Sequence, residues 1–227
     1  MSDKLPVIAI LGGTGDLGTG LARCWGEAGF PVIIGSRTAE KAEAAVDSMQ
    51  KILEGRGISD MNLRSDENLR AAEAANIVAI TVPFSHQQST LEHVKPALRG
   101  KILIDTTVPL IPPKVARVQL PETGSAGQMA QELLGEDVRV VSAFQNVAAH
   151  HLQKGTNAGS DVLVSGNNKD ARSQVIELID ACGMRGFHAG SIANSAAAEA
   201  LTSILIFINK QYKCHAGISI TGLDPDQ

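Results

Sequence analysis

Three glycines with the spacing Gly-x-Gly-x-x-Gly provide the first chemical signal in this sequence. Gly13, Gly15 and Gly18 follow directly after the apolar run 7–11, and a helical pattern begins immediately beyond them. In that setting the glycines permit a tight turn, let the backbone approach a pyrophosphate, and allow the helix to pack closely on the strand. The N-terminus of the helix then offers free N–H groups to phosphate oxygens. We therefore predict that a dinucleotide binds this loop, at Gly12, Gly13, Thr14, Gly15, Asp16 and Leu17.

The end of the second predicted strand indicates which dinucleotide binds. An NAD site usually has Asp or Glu about 20 residues beyond the glycine loop, where the carboxylate accepts hydrogen bonds from ribose hydroxyls. This chain has Gly35, Ser36 and Arg37 at that place, and Lys41 follows one helical turn later. A hydroxyl and a guanidinium suit a 2′-phosphate, because both donate charge-assisted hydrogen bonds to it. The sequence therefore favours NADP(H) over NAD(H).

Two further strand ends carry a similar Thr-Val-Pro sequence. Thr81, Val82 and Pro83 end one predicted strand, and Val108 lies in the turn after the next. The carboxyl ends of parallel strands border the ligand crevice in nucleotide-binding sheets. We therefore expect Thr81, Val82 and Pro83 to lie under the nicotinamide ribose, and Val108 to form the opposite wall.

Several other catalytic arrangements are missing from the sequence. Tyr212 is the only tyrosine and Ala216 stands four residues after it, so the Tyr-x-x-x-Lys pair of short-chain dehydrogenases is missing. The sequence contains no Gly-x-Ser-x-Gly nucleophile elbow. His150 and His151 are adjacent and make a poor metal pair, so we expect no metal. We assign no catalytic acid either, since hydride transfer between two flat ring systems needs orientation and an apolar cleft more than a proton donor.

The elements that would position these residues alternate along the first part of the chain. Predominantly apolar runs without a polar–apolar alternation occur at 7–11, 31–35, 76–82, 101–106 and 139–144. Helical patterns follow the first two of these runs, over 19–28 and 39–53. Strands without alternation are buried on both faces, which requires helices on each side of a parallel sheet. We predict an α/β fold with a Rossmann-type doubly wound parallel sheet, and an NADP-binding domain over residues 1–145.

The character of the sequence changes after that point. Strand patterns at 161–166 and 184–188 flank a helix over 169–182, and a long alanine-rich helix over 192–213 follows. We interpret residues 146–227 as a small C-terminal domain that lines an acceptor cleft and forms a dimer contact. The predicted packing face of the last helix consists of Ala196, Ala200, Ser203, Ile204 and Phe207. Because this helix has more apolar surface than a single chain of 227 residues needs to cover, we predict a homodimer.

Composition excludes several classes of function. The chain has 227 residues, is 44 % hydrophobic and carries a net charge of -4, which is typical of a folded domain without the basic excess of nucleic-acid binders. Three cysteines without a Cys-x-x-Cys pair fit a reducing compartment. Residues 1–6 show no signal peptide, and the most apolar stretch, 201–208, is far shorter than the roughly 20 residues of a membrane span. We expect a cytoplasmic protein without nucleic-acid or membrane partners.

With these residues described, the chain resembles the NADPH-dependent coenzyme F420 reductases, also called F420-dependent NADP oxidoreductases. The similarity extends over almost the whole chain, and its more specific part is the Gly-Gly-Thr-Gly loop within 10–18, the 2′-phosphate segment 35–43 and the turn 81–83. Segment 141–149 resembles the part of the family that lines the deazaflavin cleft, and 199–205 resembles its closing helix. The resemblance implies a two-domain protein that passes hydride between NADP(H) and a deazaflavin, coenzyme F420.

The resemblance also implies roles for residues in the second half of the chain. Ala149, together with Val82 and Pro83, would position the nicotinamide. The acceptor side of the cleft would be lined by Gln145, Asn146, Val147 and Leu201.

The chain departs from the family pattern inside the acceptor cleft. Gln145 stands where a histidine is frequent, and Ala148 where a proline is frequent. Three functions therefore stay open on the sequence. The first is hydride transfer between NADP(H) and F420 or a similar planar acceptor. The second is a flavin-dependent or small-molecule NADPH reductase on the same fold, and the third is a non-enzymatic NADP-binding or sensing module.

Overall fold

A computed structural model, which describes residues 4–58, 61–155 and 159–222, contains one mixed sheet of eight strands. The strands are β1 (Ile8–Leu11), β2 (Val32–Ser36), β3 (Leu63–Glu67), β4 (Ile77–Ile80), β5 (Ile102–Asp105), β6 (Arg139–Ser142), β7 (Asp161–Gly166) and β8 (Arg185–His188). Their order in the sheet is β3-β2-β1-β4-β5-β6-β7-β8. Strands β1 to β6 pair in parallel, β7 runs antiparallel to β6, and β8 is parallel to β7. The predicted Rossmann-type sheet is confirmed.

Helices cover both faces of this sheet. They are α1 (Asp16–Glu27), α2 (Ala39–Glu54), α3 (Asn68–Ala74), α4 (Phe84–Leu98), α5 (Ala126–Leu134), α6 (Ala149–Lys154), α7 (Lys169–Asp180) and α8 (Ser195–Tyr212). Along β1, Ile8 and Ile10 enter one core cluster, whereas Ala9 and Leu11 enter the other. Two cores on one strand explain why its sequence is apolar throughout, since neither face meets water.

The third strand was not predicted from the sequence. β3 reads Leu-Arg-Ser-Asp-Glu, lies at the edge of the sheet beside β2, and has one buried side chain, that of Leu63. An edge strand buries little and commonly carries charged residues, so it lacks the apolar pattern by which the other strands were found.

Helix α1 begins at Asp16, three residues before its predicted start. A Cβ atom on Gly18 would lie 2.6 Å from the Cα atom of Gly13, and a Cβ on Gly20 would lie 2.7 Å from the Cβ of Leu152 on α6. The glycines that weaken a helix prediction therefore let the first turns of α1 pack directly on the loop and on α6.

The sheet continues across the predicted domain boundary. β7 extends it beside β6, and Val162 and Leu178 belong to the same core cluster as Trp25 of α1. The indole nitrogen of Trp25 also donates a hydrogen bond to the backbone oxygen of Leu178 at 3.0 Å. The division at 145/146 stays a prediction, and its ranges include residues 1–3, 59–60, 156–158 and 223–227, which lie outside the described residues.

The predicted packing face of helix α8 is correct in part: Ser203 is buried and Ala196 and Ala200 are half-buried, whereas Ile204 and Phe207 are exposed. Its buried residues are Ser195, Ala198, Glu199, Ser203 and Leu205. Ile204 and Phe207 are 48 % and 58 % exposed, so their assignment to the packing face was wrong for this chain alone. A helix that is apolar on most sides has no single face preferred by burial. The buried carboxylate of Glu199 selects the orientation, since it accepts hydrogen bonds from the backbone N–H groups of Ala126 (2.7 Å) and Gly127 (3.1 Å).

The C-terminal helical segment is also longer than the apolar stretch singled out in the sequence. Ile192–Tyr212 has a mean hydropathy of 1.4 and is long enough to cross a membrane by length and composition. Core helices of water-soluble proteins satisfy the same criterion, so this is weak evidence for a membrane span.

Candidate functional site

A large cavity lies at the carboxyl ends of β1, β2, β4 and β5. The direction of chain winding reverses here, between β1 and β4. The cavity has a volume of about 680 Å³. This position is the topological switch point at which open α/β sheets bind ligands, and we call it the switch-point cavity. Its lining includes most of the predicted cofactor residues: Gly12, Thr14, Gly15, Leu17, Ser36, Arg37, Lys41, Thr81, Val82, Pro83 and Val108.

The glycine loop has the shape that a bound pyrophosphate requires. Gly12 has a φ of +66°, and a Cβ atom there would lie 2.4 Å from Cγ1 of Val82. A Cβ on Gly15 would meet nothing within 4 Å, so this backbone faces open space in the cavity. Gly15 also precedes α1 as its N-cap, and no side chain caps the helix there. The first N–H groups of α1 are therefore available for phosphate oxygens, and the residues present fit a dinucleotide.

Asn68 supports this loop from a different part of the chain. Its side-chain oxygen accepts a hydrogen bond from the backbone N–H of Gly12 at 3.1 Å, and a Cβ on Gly35 would lie only 2.9 Å from the same oxygen. Asn68 is buried, lines the switch-point cavity and begins α3 directly after β3. Sequence reasoning missed it because β3, the element that carries it to the loop, was missed.

The end of the cavity near β2 is positively charged. Arg37 and Lys41 both line it, and a smaller adjoining cavity of about 200 Å³ shares Ser36 and Arg37 with it. The opposite wall of this smaller cavity comes from α4, through Ser89, Thr90 and His93. These three residues were not predicted, because their helical pattern shows only that α4 is a surface helix.

One carboxylate does approach this region. β2 ends without an acidic residue, as the sequence showed, but its parallel pairing with β3 sets Glu67 opposite Ser36. Glu67 lines the smaller cavity together with Arg37. Among the described residues that line the switch-point cavity itself, none is Asp or Glu.

Buried hydrogen bonds fix the strand ends beneath the predicted nicotinamide position. The hydroxyl of Thr81 donates to the backbone oxygen of Leu11 at 3.1 Å, and that of Thr106 donates to the backbone oxygen of Ile80 at 2.8 Å. Asp105 accepts from the backbone N–H of Thr107 at 2.8 Å and is fully buried, so burial raises its pKa. The hydroxyls of Thr81 and Thr106 on the floor of the cavity are therefore engaged with the backbone.

Three of the predicted cofactor residues do not line the cavity. Gly13 is buried below the loop, where a Cβ would lie 2.7 Å from the backbone oxygen of Ile10. Asp16 is exposed, and its carboxylate accepts a hydrogen bond from the side-chain amide of Gln153 at 3.1 Å. Ala149 is half-buried at the first position of α6. The structure gives Gly13 a packing role in the loop.

The predicted acceptor residues lie between β6 and α8 and outside the switch-point cavity. The Gln145 amide nitrogen donates to the backbone oxygen of Asp105 (2.8 Å) and to Oγ of Ser142 (2.9 Å), while its oxygen is buried without a hydrogen-bond partner. The Asn146 amide donates to the backbone oxygen of Ala198 on α8 at 2.8 Å. These contacts join the end of β6 to α8.

The other two acceptor residues are less closely tied to that junction. Val147 lines a separate cavity beside α1, and Leu201 is half-buried on α8.

Over the described ranges 4–58, 61–155 and 159–222, no group of three or more His, Cys, Asp or Glu residues is arranged to hold a metal ion.

The fold and this cavity define a Rossmann-type dinucleotide-binding protein. A sequence model of the family described as "NADP oxidoreductase coenzyme F420-dependent" matches residues 7–109. The F420-dependent NADP reductase of Methanocaldococcus jannaschii is 40 % identical over 223 residues, which cover 96 % of this chain and 99 % of the relative. The enzyme of the same name from Methanothermobacter marburgensis is 39 % identical over 225 residues, 95 % of this chain and 98 % of that relative. The chain belongs to the F420-dependent NADP reductase family.

A solved structure supports the fold independently. The crystal structure of a putative F420-dependent NADP reductase from Arthrobacter sp. FB24 aligns with a TM-score of 0.75, at 24 % identity, over 92 % of this chain and 95 % of that one. At this identity the likeness concerns the architecture alone.

Proposed function

We propose that this protein is an oxidoreductase that transfers hydride between NADP(H) and coenzyme F420. The observation that carries the proposal is the switch-point cavity, which joins an open glycine loop at the N-terminus of α1 to a cationic end at Arg37 and Lys41. Two relatives that match nearly the whole chain are named F420-dependent NADP reductases, which supports F420 as the second partner.

The residues of the first half bind the nucleotide and orient it. The N–H groups at the start of α1 bind the pyrophosphate, and Ser36, Arg37 and Lys41 hold the 2′-phosphate. Bound NADPH would supply a hydride to the oxidised acceptor, and bound NADP⁺ would take one from the reduced acceptor, so the remaining task for the chain is orientation. Val82, Pro83 and Val108 provide apolar walls that fix the nicotinamide ring and exclude water.

The acceptor side is assigned to Gln145, Asn146, Val147 and Leu201. Phe144, directly before them, has a φ of +73° and is almost completely buried, so the chain turns sharply as it leaves β6. Gln145 is 6 % exposed, and its amide orientation is set because its nitrogen already donates to Asp105 and Ser142. Its oxygen is buried without a hydrogen-bond partner, which is uncommon for a buried amide.

We assign residues 1–145 to nucleotide binding and 146–227 to the acceptor cleft and the dimer contact. Ile204 and Phe207 form an exposed apolar surface on α8. The loop beside α8 is held by the hydroxyl of Ser203, which donates to the backbone oxygen of Arg117 at 3.2 Å, and the next residue of that loop, Val118, is 46 % exposed. An apolar surface of this kind is typical of an interface between subunits. This surface supports the homodimer, and we further propose that the protein is cytoplasmic and has no membrane or nucleic-acid partner.

The decisive experiment is NADPH oxidation with F420 as acceptor, compared with FMN and FAD, and with NADH replacing NADPH in each case. We expect turnover with F420 and NADPH that exceeds turnover with either flavin and with NADH. Turnover with a flavin alone would contradict the assignment of F420 and favour a flavin reductase. Tight NADPH binding without oxidation by any acceptor would favour an NADP-sensing module.

A further inference from the structure

Two cysteines that the proposed reaction does not use share a second cavity. This cavity has a volume of about 340 Å³ and lies between α1, the segment after β6 and the turn between α7 and β8. Cys24 of α1 and Cys182 of that turn both line it. They are 158 positions apart in the sequence, so only the fold brings them together. We call this space the thiol cavity.

The two cysteines border the same cavity, and Cys182 packs against the core cluster that contains Cys24. The surroundings of the two thiols differ. The Cys182 thiol donates a hydrogen bond to the Cys24 sulfur, which lowers the pKa of Cys24 against the opposing effect of burial. The guanidinium of Arg23 adds a positive charge, with Nη2 at 3.5 Å from Sγ of Cys24. The same hydrogen bond, together with burial, raises the pKa of Cys182. Cys24 is therefore the thiol that ionises first and the better nucleophile.

Charged and polar side chains from the neighbouring elements surround the two cysteines. Arg23 is held in place by Glu27, at 2.5 Å between Nη1 and Oε2, and its Nε donates to the backbone oxygen of Leu152 at 2.8 Å. His151 of α6 lines the same cavity, and Met184 after the turn contributes a thioether. Arg23 thus faces Cys24 as a fixed cation, while Glu27 on the far side limits its effect on the thiol.

We propose that Cys24 and Cys182 form a dithiol site that low-molecular-weight disulfides oxidise to an intramolecular disulfide. The Cys24 thiolate attacks one sulfur of the small disulfide, forms a mixed disulfide and releases one small thiolate. The Cys182 thiol then loses its proton, and its sulfur attacks Sγ of Cys24 and releases the second small thiolate. Two protein thiols are oxidised and one small disulfide is reduced to two thiols, so electrons and protons balance.

The disulfide would connect α1 to the turn between α7 and β8, at a cavity that also borders the acceptor segment. α1 begins at the glycine loop, and Val147 and Ala148, which follow the acceptor residue Gln145, line the thiol cavity. A disulfide here ties α1 to the C-terminal segment without altering a residue of the switch-point cavity. In reducing compartments such bonds are usually transient and redox-sensing, rather than permanent.

The test uses the full chain with Cys214→Ser, because Cys214 is exposed and would form disulfides between molecules. After treatment with oxidised glutathione, the intact mass should fall by about 2 Da and both remaining thiols should become unreactive, with full recovery by a reductant. Matched Cys214→Ser/Cys182→Ser protein should retain one bound glutathione, on Cys24. Persistence of two free thiols in the Cys214→Ser protein, or of a stable mixed disulfide, would overturn the proposal.

A second measurement avoids any substitution at the buried positions. Wild-type protein treated in the same way and digested under non-reducing conditions should release the peptides containing Cys24 and Cys182 as one linked species. Linkage of either peptide to Cys214 in their place would contradict the assignment. Neither measurement depends on NADPH or F420, so failure of the proposed function leaves this inference intact.

Discussion

The side-chain oxygen of Asn68 accepts a hydrogen bond from the backbone N–H of Gly12 at 3.1 Å. The same oxygen lies against Gly35, which precedes the predicted 2′-phosphate residues Ser36 and Arg37. The side-chain amide of Asn68 therefore contacts both the pyrophosphate loop and the end of β2, which are the two segments that a dinucleotide must bridge.

Replacement of Asn68 by alanine should destabilise the loop and weaken nucleotide binding. The partly buried N–H of Gly12 would lose its partner, which costs about 1 kcal/mol. The loss should be similar for NADPH and NADH, because both carry the pyrophosphate. Titration calorimetry with each nucleotide measures it, and Asn68→Asp, which keeps the acceptor oxygen, should recover stability to urea. Unchanged affinity in Asn68→Ala would exclude this supporting role.

Arg37→Ala should discriminate between the two cofactors. The guanidinium is assigned to the 2′-phosphate, so its removal should cost at least ~1.5 kcal/mol of NADPH binding and little of NADH binding. Binding constants for both nucleotides, measured at one salt concentration, give the answer. Arg99→Ala is the matched control, because Arg99 is a surface arginine paired with Asp137 at 3.1 Å, away from the cavity. Equal losses for both cofactors would remove the assignment.

Glu199 should make stability depend on pH. Burial raises its pKa from 4.5 to about 7, although the N–H groups of Ala126 and Gly127 favour the carboxylate. Between these values the folded chain holds a proton that the unfolded chain has released, so the contribution of Glu199 to stability falls as pH rises from 4.5 to 7 and is constant above. The full change is about 3.5 kcal/mol, since each of the 2.5 units between the two pKa values corresponds to about 1.4 kcal/mol.

Urea unfolding across this pH range tests the prediction by comparing the wild type with Glu199→Gln. The variant cannot titrate at this position, so the wild type should lose stability relative to it as the pH rises. Glu132→Gln, at an exposed position on α5, is the control and should follow the wild type. A stability difference that stays constant with pH would show that Glu199 has an ordinary pKa.

Phe207→Lys should dissociate the expected homodimer. The side chain is 58 % exposed beside Ile204 on α8, and a lysine there would place two like charges in the contact of a symmetric pair. Sedimentation equilibrium at micromolar concentration should give a dimer mass for the wild type and a monomer mass for the variant. Ile52→Lys, at a residue 54 % exposed on α2, should remain a dimer. A monomeric wild type would overturn the expectation.

Much of the architecture follows from local sequence patterns. β1, β2, β4, β5 and β6 were all predicted near their observed positions, because strands buried on both faces form predominantly apolar runs without alternation. The polar edge strand β3 lacks this signature, and with it Asn68 and Glu67 were missed. The face of α8 was predicted incorrectly for Ile204 and Phe207, because an apolar helix carries no strong internal preference for one side.

The sequence by itself determined the glycine loop, the absence of a carboxylate after β2 and the likeness to one family of NADP oxidoreductases. These features depend on residues close together in the chain, whose spacing sets a turn, a helix start or a strand. Only the tertiary structure decided which partners from distant positions meet them: Asn68 at Gly12, Glu199 at α5, and Cys182 at Cys24. Such contacts arise from the packing of whole elements, which burial over the entire chain determines and no short sequence pattern records.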